Sequence, residues 1–279
     1  MSLPALHRIV ALRMVTRDID RLARFYSTAL GAAADGGAVA IGADEQAVLA
    51  SGAGVRQRLL VGAFALDLDR FDREGRPYPA DADAADLRFQ HFAVIVADAA
   101  FAYERAMASG ATAISRGGPV TLPASAGGVS AVKLRDPDGH PFELLQFPAA
   151  ADNRWRDVAA NACGVLGIDH SAIAVADARL SRAFYCEAGL VARGATLNQG
   201  STQEALDGLS LQSVDVVPLF PGTDTPHLEL LGYHRAGSAS APDTAIADIA
   251  ATRLVWASDR PGLLLRDPDG HRHQTVSAN

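Results

Sequence analysis

Short apolar segments that end in an aspartate occur three times along the chain. They are residues 11–18, 91–98 and 170–177. Alternating or continuous apolar residues over such lengths predict β-strands, and the aspartate favours a helix start because its carboxylate accepts hydrogen bonds from free N–H groups of the first turn. After each aspartate, apolar residues follow at helical three-to-four spacing up to a glycine, at Gly31, Gly110 and Gly189. We therefore predict a strand followed by a helix at each of the three positions.

The chain also contains internal repeats. The segments 91–98 and 170–177 both carry His, Ala, Val, Ala and Asp at the same five positions. The residues Leu-Arg-Asp-Pro-Asp-Gly-His occur at 134–140 and again, without change, at 265–271. Because proline fixes φ and glycine tolerates a positive φ, Asp-Pro-Asp-Gly predicts a tight turn between the two strands of a hairpin.

These repeats divide the chain into four modules of the order strand, helix and three strands, so the predicted fold class is α+β. The modules cover 5–72, 86–148, 165–235 and 242–279, with linkers at 72–86 and 148–166. The fourth module is truncated, because it has no room for a complete strand and helix before Thr252. Grouped along the sequence, modules 1 and 2 form a domain over 1–150, and modules 3 and 4 form a second domain over 151–279.

Composition and charge argue against two classes of partner. The chain has 25 Lys and Arg against 32 Asp and Glu, which gives a formal charge of −7. It therefore lacks the basic field that nucleic acid or an anionic membrane requires, and no apolar run approaches the ~20 residues of a spanning helix. Residues 1–17 do not have the pattern of a signal peptide. We expect a cytoplasmic monomer or homodimer without nucleic-acid or membrane partners, in which Cys163 and Cys186 are packing residues.

The repeated residues resemble the βαβββ modules of the vicinal oxygen chelate superfamily, which includes glyoxalase, bleomycin-resistance and extradiol dioxygenase proteins. The resemblance rests on the His-x-x-x-x-Val-x-Asp opening, a helix with Phe-Tyr, and the Asp-Pro-Asp-Gly-His-x-x-Glu ending, and it covers nearly the whole chain. It implies two cupped, mostly antiparallel sheets built from tandem βαβββ modules. In that superfamily the first and last strands of a module each contribute one ligand to a divalent metal held between two paired modules.

Carried over position by position, the resemblance assigns four metal ligands to modules 2 and 3. They are His91, Glu143, His170 and Glu229. Two imidazoles and two carboxylates suit Ni, Zn, Co, Fe or Mn, and they leave two coordination positions for water or a chelating substrate. We therefore expect module 2 to pair with module 3, and module 1 with module 4.

Modules 1 and 4 have a weaker set of residues at the corresponding positions. The first strand of module 1 has Ala11 there, and the last strands of modules 1 and 4 have Asp67 and Gln274. The first-strand position of module 4 is not identified from the sequence. Because this pair of modules offers no histidine, it is predicted to be a pseudo-site without a catalytic metal.

The resemblance implies a divalent-metal-dependent enzyme of glyoxalase type, a lyase or isomerase that acts on a small substrate chelated through adjacent oxygens. Glu143 or Glu229 would leave the ion to act as the base. An Fe(II) extradiol dioxygenase is an alternative that needs only two histidines and one carboxylate, so the second carboxylate counts against it. A noncatalytic ligand-binding protein of the bleomycin-resistance type is the other alternative.

Three further residues are candidates for the substrate site. His227 is two residues before Glu229, so it shares that strand face and is a candidate partner of the ligand. Asn198 and Gln203 belong to a polar, glycine-containing segment that we expect to be a loop, and they are candidates for substrate recognition beside the alternative of an ordinary surface loop. His140 and His271 are read as structural, because they occur at the same place in both copies of the hairpin.

Overall fold

The computed structural model describes residues 2–149, 151, 154–210, 213–222, 226–234 and 243–278, and these contain five α-helices and eighteen β-strands. The helices are α1 (Ile19–Leu30), α2 (Ala43–Leu49), α3 (Ala99–Ala108), α4 (Ala178–Glu187) and α5 (Ser201–Asp207), with a short 3-10 helix at Ala124–Ala126. The strands are β1 (Leu6–Val15), β2 (Ala33–Ala34), β3 (Val39–Ala40), β4 (Gly54–Val61), β5 (Phe64–Phe71), β6 (Gln90–Val96), β7 (Thr112–Ala113), β8 (Val120–Thr121), β9 (Ser130–Arg135), β10 (Pro141–Gln146), β11 (Val165–Ala174), β12 (Val191–Ala192), β13 (Thr196–Gln199), β14 (Ser213–Phe220), β15 (His227–Tyr233), β16 (Arg253–Ser258), β17 (Leu264–Arg266) and β18 (Arg272–Ser277).

The strands form two mixed sheets, and each sheet combines two modules. The 2–3 sheet, made by modules 2 and 3, has the order β12-β14-β15-β11-β6-β10-β9-β7, with β13 on β14 and β8 on β9. The 1–4 sheet, made by modules 1 and 4, has the order β17-β18-β16-β1-β5-β4-β2, with β3 on β4. The α+β fold class and the pairing of the modules are therefore confirmed.

Most neighbouring strands are antiparallel, but the first and last strands of each module are parallel. These parallel pairs are β1 with β5, β6 with β10, β11 with β15, and β16 with β18. The modules join through antiparallel pairs of first strands, β6 with β11 and β1 with β16. Each sheet takes strands from both sides of residue 150, and the division into two sequence domains at that residue stays a prediction.

The predicted helix starts and ends are present. Asp18, Asp98 and Asp177 each accept a hydrogen bond from a backbone N–H in the first turn of α1, α3 and α4, as the cap argument requires. Helix α1 ends at Gly31 in the left-handed conformation, with φ +66°. The two Asp-Pro-Asp-Gly turns join β9 to β10 and β17 to β18, so both predicted hairpins form. None of the helices in the described part of the chain combines the length and apolar character needed to cross a membrane.

Module 4 is truncated as predicted, but the part that it lacks differs from the prediction. The module keeps its first strand, because β16 pairs with β1 as β11 pairs with β6. The residues between β16 and β17, 259–263, contain no helix. The missing part is therefore the helix that follows the first strand.

One face of each sheet packs against a shared hydrophobic core together with α1, α3 and α4. Leu12 and Trp256 of the 1–4 sheet and Phe92 and Phe142 of the 2–3 sheet belong to this core. Because side chains alternate along a strand, the residues next to these point to the opposite face of their sheet. We call these opposite faces the 2–3 cup and the 1–4 cup.

The two cysteines have different environments. Cys163 is buried, but Cys186 is exposed, so the prediction that both are packing residues is wrong for Cys186. Tyr185 takes the buried side of α4. Consecutive helix residues point about 100° apart, which turns Cys186 toward the surface.

Candidate metal centre

The 2–3 cup brings the four predicted ligands together on its central strands. His91 lies on β6, Glu143 on β10, His170 on β11 and Glu229 on β15. The strand registers align Ala172 with both His91 and Glu229. Because residues in register share a face, and residues two apart on one strand also share a face, all four side chains point into the cup.

The ligand atoms lie close to one another. Glu143 Oε2 is 3.4 Å from His91 Nε2 and 3.6 Å from His170 Nε2. Glu229 Oε2 is also 3.6 Å from His170 Nε2. Two donors bound to one ion at about 2.0–2.2 Å are themselves about 3–3.5 Å apart. The ligand atoms of His91, Glu143 and His170 all lie within 4.8 Å of one another and so fit a shared cation, and Glu229 adjoins this group through His170.

Several polar atoms of the site have no protein partner. Within the described residues, His91 Nδ1, His91 Nε2 and His170 Nε2 are buried and without a hydrogen bond. Buried polar atoms are normally satisfied, so an orphaned imidazole nitrogen facing carboxylates needs an explanation. A divalent ion accepts lone pairs from both imidazoles and neutralises the carboxylates, so the donor set fits such an ion.

Burial and neighbouring charges set the protonation of these groups. Burial lowers the pKa of His91, which keeps the imidazole neutral and able to donate a lone pair. Burial opposes the charged form of Glu143, but the facing imidazoles of His170 and His91 hold its pKa below the usual range. Burial also opposes charge on His170, yet the facing carboxylates of Glu229 and Asp169 hold its pKa well above the usual value. The carboxylates therefore require a positive charge between them, which His170 or a bound cation provides.

Asp169 is a site residue that the sequence reasoning missed. Its Oδ2 lies 3.2 Å from His170 Nδ1, and its Oδ1 accepts a 3.0 Å hydrogen bond from Trp155 Nε1. Strict strand alternation places neighbouring residues on opposite faces, but the β11 register shifts between Ile168 and His170. This bulge lets Asp169 orient the His170 ring so that Nε2 faces the cup.

His227 lies beside the predicted ligand that it was expected to support. Its Nε2 is 3.2 Å from Glu229 Oε1, and its ring is 5.3 Å from the ring of His170. The contact gives Glu229 a second partner besides His170. A role of His227 in substrate binding stays a prediction.

A cavity of about 340 Å³ opens onto the four ligands. Its apolar wall includes Leu122, Leu145 and Phe147, and both Asn198 and Gln203 line it. The expectation of a loop at these two residues is wrong, because Asn198 lies in β13 and Gln203 in α5. Their role in substrate recognition stays a prediction.

Helix α5 of module 3 is tied to module 2 beside this cavity. Lys133, on β9, lies in register with Glu143 and makes a buried 2.5 Å ion pair with Asp207 of α5. The Ser115 hydroxyl donates to the Leu206 carbonyl at 2.6 Å. Elements of both modules therefore enclose the ligand cavity.

The 1–4 cup has a different chemistry at the corresponding positions. Strand register aligns Val255 with Gln274, so the first-strand position of module 4 is Arg253, two residues earlier. Arg13 Nε donates to Asp67 at 3.2 Å, and an Arg13 Nη1 donates to Gln274 at 2.6 Å. Within the described residues, the His and carboxylate groups spaced for a metal all lie in the 2–3 cup.

Comparisons with known proteins agree with this architecture. A family model described as a glyoxalase-like domain matches residues 10–145. Glyoxalase I from Zea mays has a similar structure, with a TM-score of 0.61 and 18% identity over 97% of this chain and 92% of that chain. A putative dioxygenase from Bacillus subtilis subsp. subtilis str. 168 is similar with a TM-score of 0.56 and 11% identity, over 98% of this chain and 86% of that chain.

No match was found among the curated proteins. At these identities, the likeness to the two solved structures concerns the fold. The matched domain and the paired βαβββ modules support the resemblance that the repeated motifs indicated. Residues 10–145 match a glyoxalase-like domain, and the fold of the whole chain is similar to that of glyoxalase I from Zea mays.

Proposed function

We propose that the protein is a divalent-metal-dependent enzyme of glyoxalase type, a lyase or isomerase that acts on a small substrate with two adjacent oxygens. His91, Glu143, His170 and Glu229 would hold the ion. The observation that carries the proposal is the pair of buried nitrogens His91 Nε2 and His170 Nε2. Both lack a hydrogen bond among the described residues, and both face the same oxygen of Glu143.

A bound divalent ion would supply Lewis-acid stabilisation of an oxyanion on the substrate. The protein's own contribution begins with Asp169, which holds His170 through Nδ1 and so directs Nε2 into the cup. Glu143 is placed between both histidines, and its side chain is only 6% exposed. Glu143 is therefore suited to a fixed ligand role.

Glu229 is better placed than Glu143 to act as the base. Its side chain is 18% exposed, and His227 Nε2 lies 3.2 Å from its Oε1. His227 would hold Oε1 of Glu229 while Oε2 accepts a proton from the substrate carbon. Glu229 would therefore serve both as a metal ligand and as the base, and it would keep its contact with His227 in both roles.

The cavity limits the substrate to a small molecule. Its volume of about 340 Å³ fits a compact ligand, and Leu122, Leu145 and Phe147 favour an apolar part next to the chelating oxygens. Asn198 and Gln203, which also line the cavity, would hydrogen-bond the polar remainder of the substrate.

The test compares Glu229→Gln and Glu143→Gln with the unchanged protein, each loaded with Ni, Zn, Co, Fe or Mn. Substrates are hemithioacetals, catechols and 2-oxo acyl thioesters, and exchange of a substrate proton with solvent reports enediolate chemistry. We expect Glu229→Gln to keep metal and substrate binding and to lose turnover by roughly 10² or more. Glu143→Gln should lose metal affinity.

The exposed Glu187→Gln on α4 is the matched control and should retain full activity. Wild-type turnover by both cup variants would contradict the proposal. Tight capture of a ligand without turnover of any substrate would instead support a binding protein of the bleomycin-resistance type.

One observation favours an extradiol dioxygenase as a second candidate. Ligand atoms of His91, Glu143 and His170 all lie within 4.8 Å of one another, which makes a set of two histidines and one carboxylate. This set is typical of non-haem Fe(II) oxygenases. Oxygen uptake with a catechol and Fe(II), undiminished in Glu229→Gln, would support this candidate over the glyoxalase type.

A further inference from the structure

Four arginines occupy adjacent register positions across the 1–4 sheet. Arg13 on β1 pairs with Arg253 on β16, and Arg253 is in register with Arg272 on β18. Arg272 is directly opposite Arg266 on β17. Like charges opposite one another on neighbouring strands are destabilising. Such a row therefore requires negative charge close to it.

The structure supplies that charge to only half of the row. Arg13 forms ion pairs with Asp67 and Glu45. Arg253 forms a buried ion pair with Asp69. These carboxylates balance the half of the row that lies near the middle of the cup.

The other half of the row consists of Arg266 and Arg272. Among the described residues, Arg266 and Arg272 have no carboxylate within ion-pair distance, and the buried Nε of Arg272 has no hydrogen bond. One Arg272 Nη donates to the Thr244 carbonyl. Burial and the nearby positive charges of Arg266 and Arg253 lower the pKa of Arg272 to about 10. The positive charges near this arginine therefore outweigh the opposing carboxylates of Asp248 and Asp243.

These two arginines line a cavity of about 930 Å³ at the edge of the 1–4 cup. Arg73 also lines it, and Phe71 and Leu264 give it an apolar wall. The cavity is wide enough for a small organic molecule with a polar end at the arginines.

The acidic residues around the cavity leave a positive surplus. Two of its three lining carboxylates are already paired, Glu74 with Arg17 and Asp248 with Arg76. Asp243 is the remaining lining carboxylate, whereas three lining arginines, Arg73, Arg266 and Arg272, form no ion pair among the described residues. A local excess of positive charge in a chain of formal charge −7 points to an anionic ligand.

We propose that this cavity binds a small organic anion, whose carboxylate or phosphate group lies between Arg266 and Arg272. Guanidinium groups present several N–H donors in a planar fork that matches both kinds of oxyanion. The apolar part of the ligand packs on Phe71 and Leu264. The site lies on the other sheet from the metal centre, and the argument for it does not depend on the proposed function.

The test is isothermal titration calorimetry on the full chain at low ionic strength in an anion-poor buffer. Inorganic phosphate and malonate are titrated separately, which distinguishes the phosphate and carboxylate sources. We expect saturable binding of at least one of them with a Kd of about 1 mM or tighter. Arg266→Gln and Arg272→Gln should each weaken this binding at least about tenfold, since each removes a charge-assisted contact.

Arg266→Gln also distinguishes an arginine that binds an anion from one that only stabilises the fold. Because it removes the repulsion with Arg272, its melting temperature without added anion should equal or exceed that of the unchanged protein, while its stabilisation by the anion is lost. The matched control is Arg24→Gln, an exposed substitution on α1, which should bind the anion normally. The proposal is overturned if neither anion binds at 20 mM, or if both row variants bind as tightly as the unchanged protein.

Discussion

The hydroxyl of Tyr26 donates a 2.7 Å hydrogen bond to the carboxylate of Asp136, which is 110 residues later in the chain. Tyr185 makes the same contact with Asp267 at 2.8 Å. The Phe-Tyr helices and the Asp-Pro-Asp-Gly turns, which are separate motifs in the sequence, are therefore two halves of one contact. It links module 1 to module 2 and module 3 to module 4, while the sheets join the other pairs.

This contact predicts the effect of removing a single hydroxyl. Tyr26→Phe should lower the free energy of unfolding by about 1–3 kcal/mol, because Asp136 is buried and loses a donor. Urea unfolding measures the change. Tyr103→Phe on α3 is the matched control and should change stability by less than about 0.5 kcal/mol. Equal effects of the two substitutions would contradict a special role for the Tyr26 contact.

The buried ring of His273 predicts loss of stability in mild acid. Trp256 Nε1 donates to its Nδ1 at 3.0 Å, and its Nε2 lies 2.8 Å from the Tyr185 hydroxyl. Burial lowers the pKa of His273 to about 4. An unfolded histidine titrates near 6.5, so the unfolded chain binds the proton first. The stabilising contribution is complete above pH 6.5 and is lost progressively down to pH 4, by up to about 3 kcal/mol.

Urea unfolding at several pH values between 7.5 and 4.5 measures this loss. His273→Gln should be less stable at pH 7.5 but should show a flatter pH profile than the unchanged protein. His7→Gln, at an exposed position on β1, should keep the original profile. Parallel profiles for the unchanged protein and His273→Gln would rule out His273 as the source of the acid sensitivity.

The two cups predict a metal stoichiometry. Loading with Ni or Zn followed by elemental analysis should give about one tightly held ion per chain. His170→Ala should remove it. Gln274→Ala, in the 1–4 cup, is the control and should retain the ion. Two tightly held ions per chain would show that the 1–4 cup also binds a metal.

The ion-paired half of the arginine row, Arg13 and Arg253, predicts that removal of one carboxylate charge strongly lowers the stability of the protein. Asp69 accepts a 2.6 Å hydrogen bond from Arg56 Nε and also pairs with Arg253. Asp69→Asn should lower the free energy of unfolding by about 3–5 kcal/mol, because Arg253 is then buried without its carboxylate. The exposed Asp44→Asn on α2 should have little effect. A loss below 1 kcal/mol for Asp69→Asn would mean that the cluster reorganises around the missing charge.

The repeats together with the resemblance, which places one metal between two paired modules, predicted the module pairing. Complete ligand pairs occur only in modules 2 and 3, so the sheet that joins these two modules followed from His91 and His170. Arg253 was not identified because the first-strand position is counted back from the helix-capping aspartate, and module 4 has no helix after β16. Only the register of β16 with β18 supplies this position.

Two other features depend on tertiary structure. Asp169 reaches the site through a bulge in β11, which period-two alternation does not reveal. Helices α2 and α5 have seven residues each, and isolated helices of this length are not stable in water. Packing of Leu49 and Leu206, which are buried, favours them in the folded chain.

Along the sequence, all strands of the 2–3 sheet come between module 1 and module 4, which together make the 1–4 sheet. This order has a consequence for synthesis on the ribosome. The 2–3 cup has all its strands once β15 has emerged, so modules 2 and 3 can close around their ligands before module 4 is made. Strand β1 must wait for β16, and until then one of its edges has no partner. Premature termination before β16 would therefore leave a formed 2–3 cup on a chain that is prone to aggregate through β1.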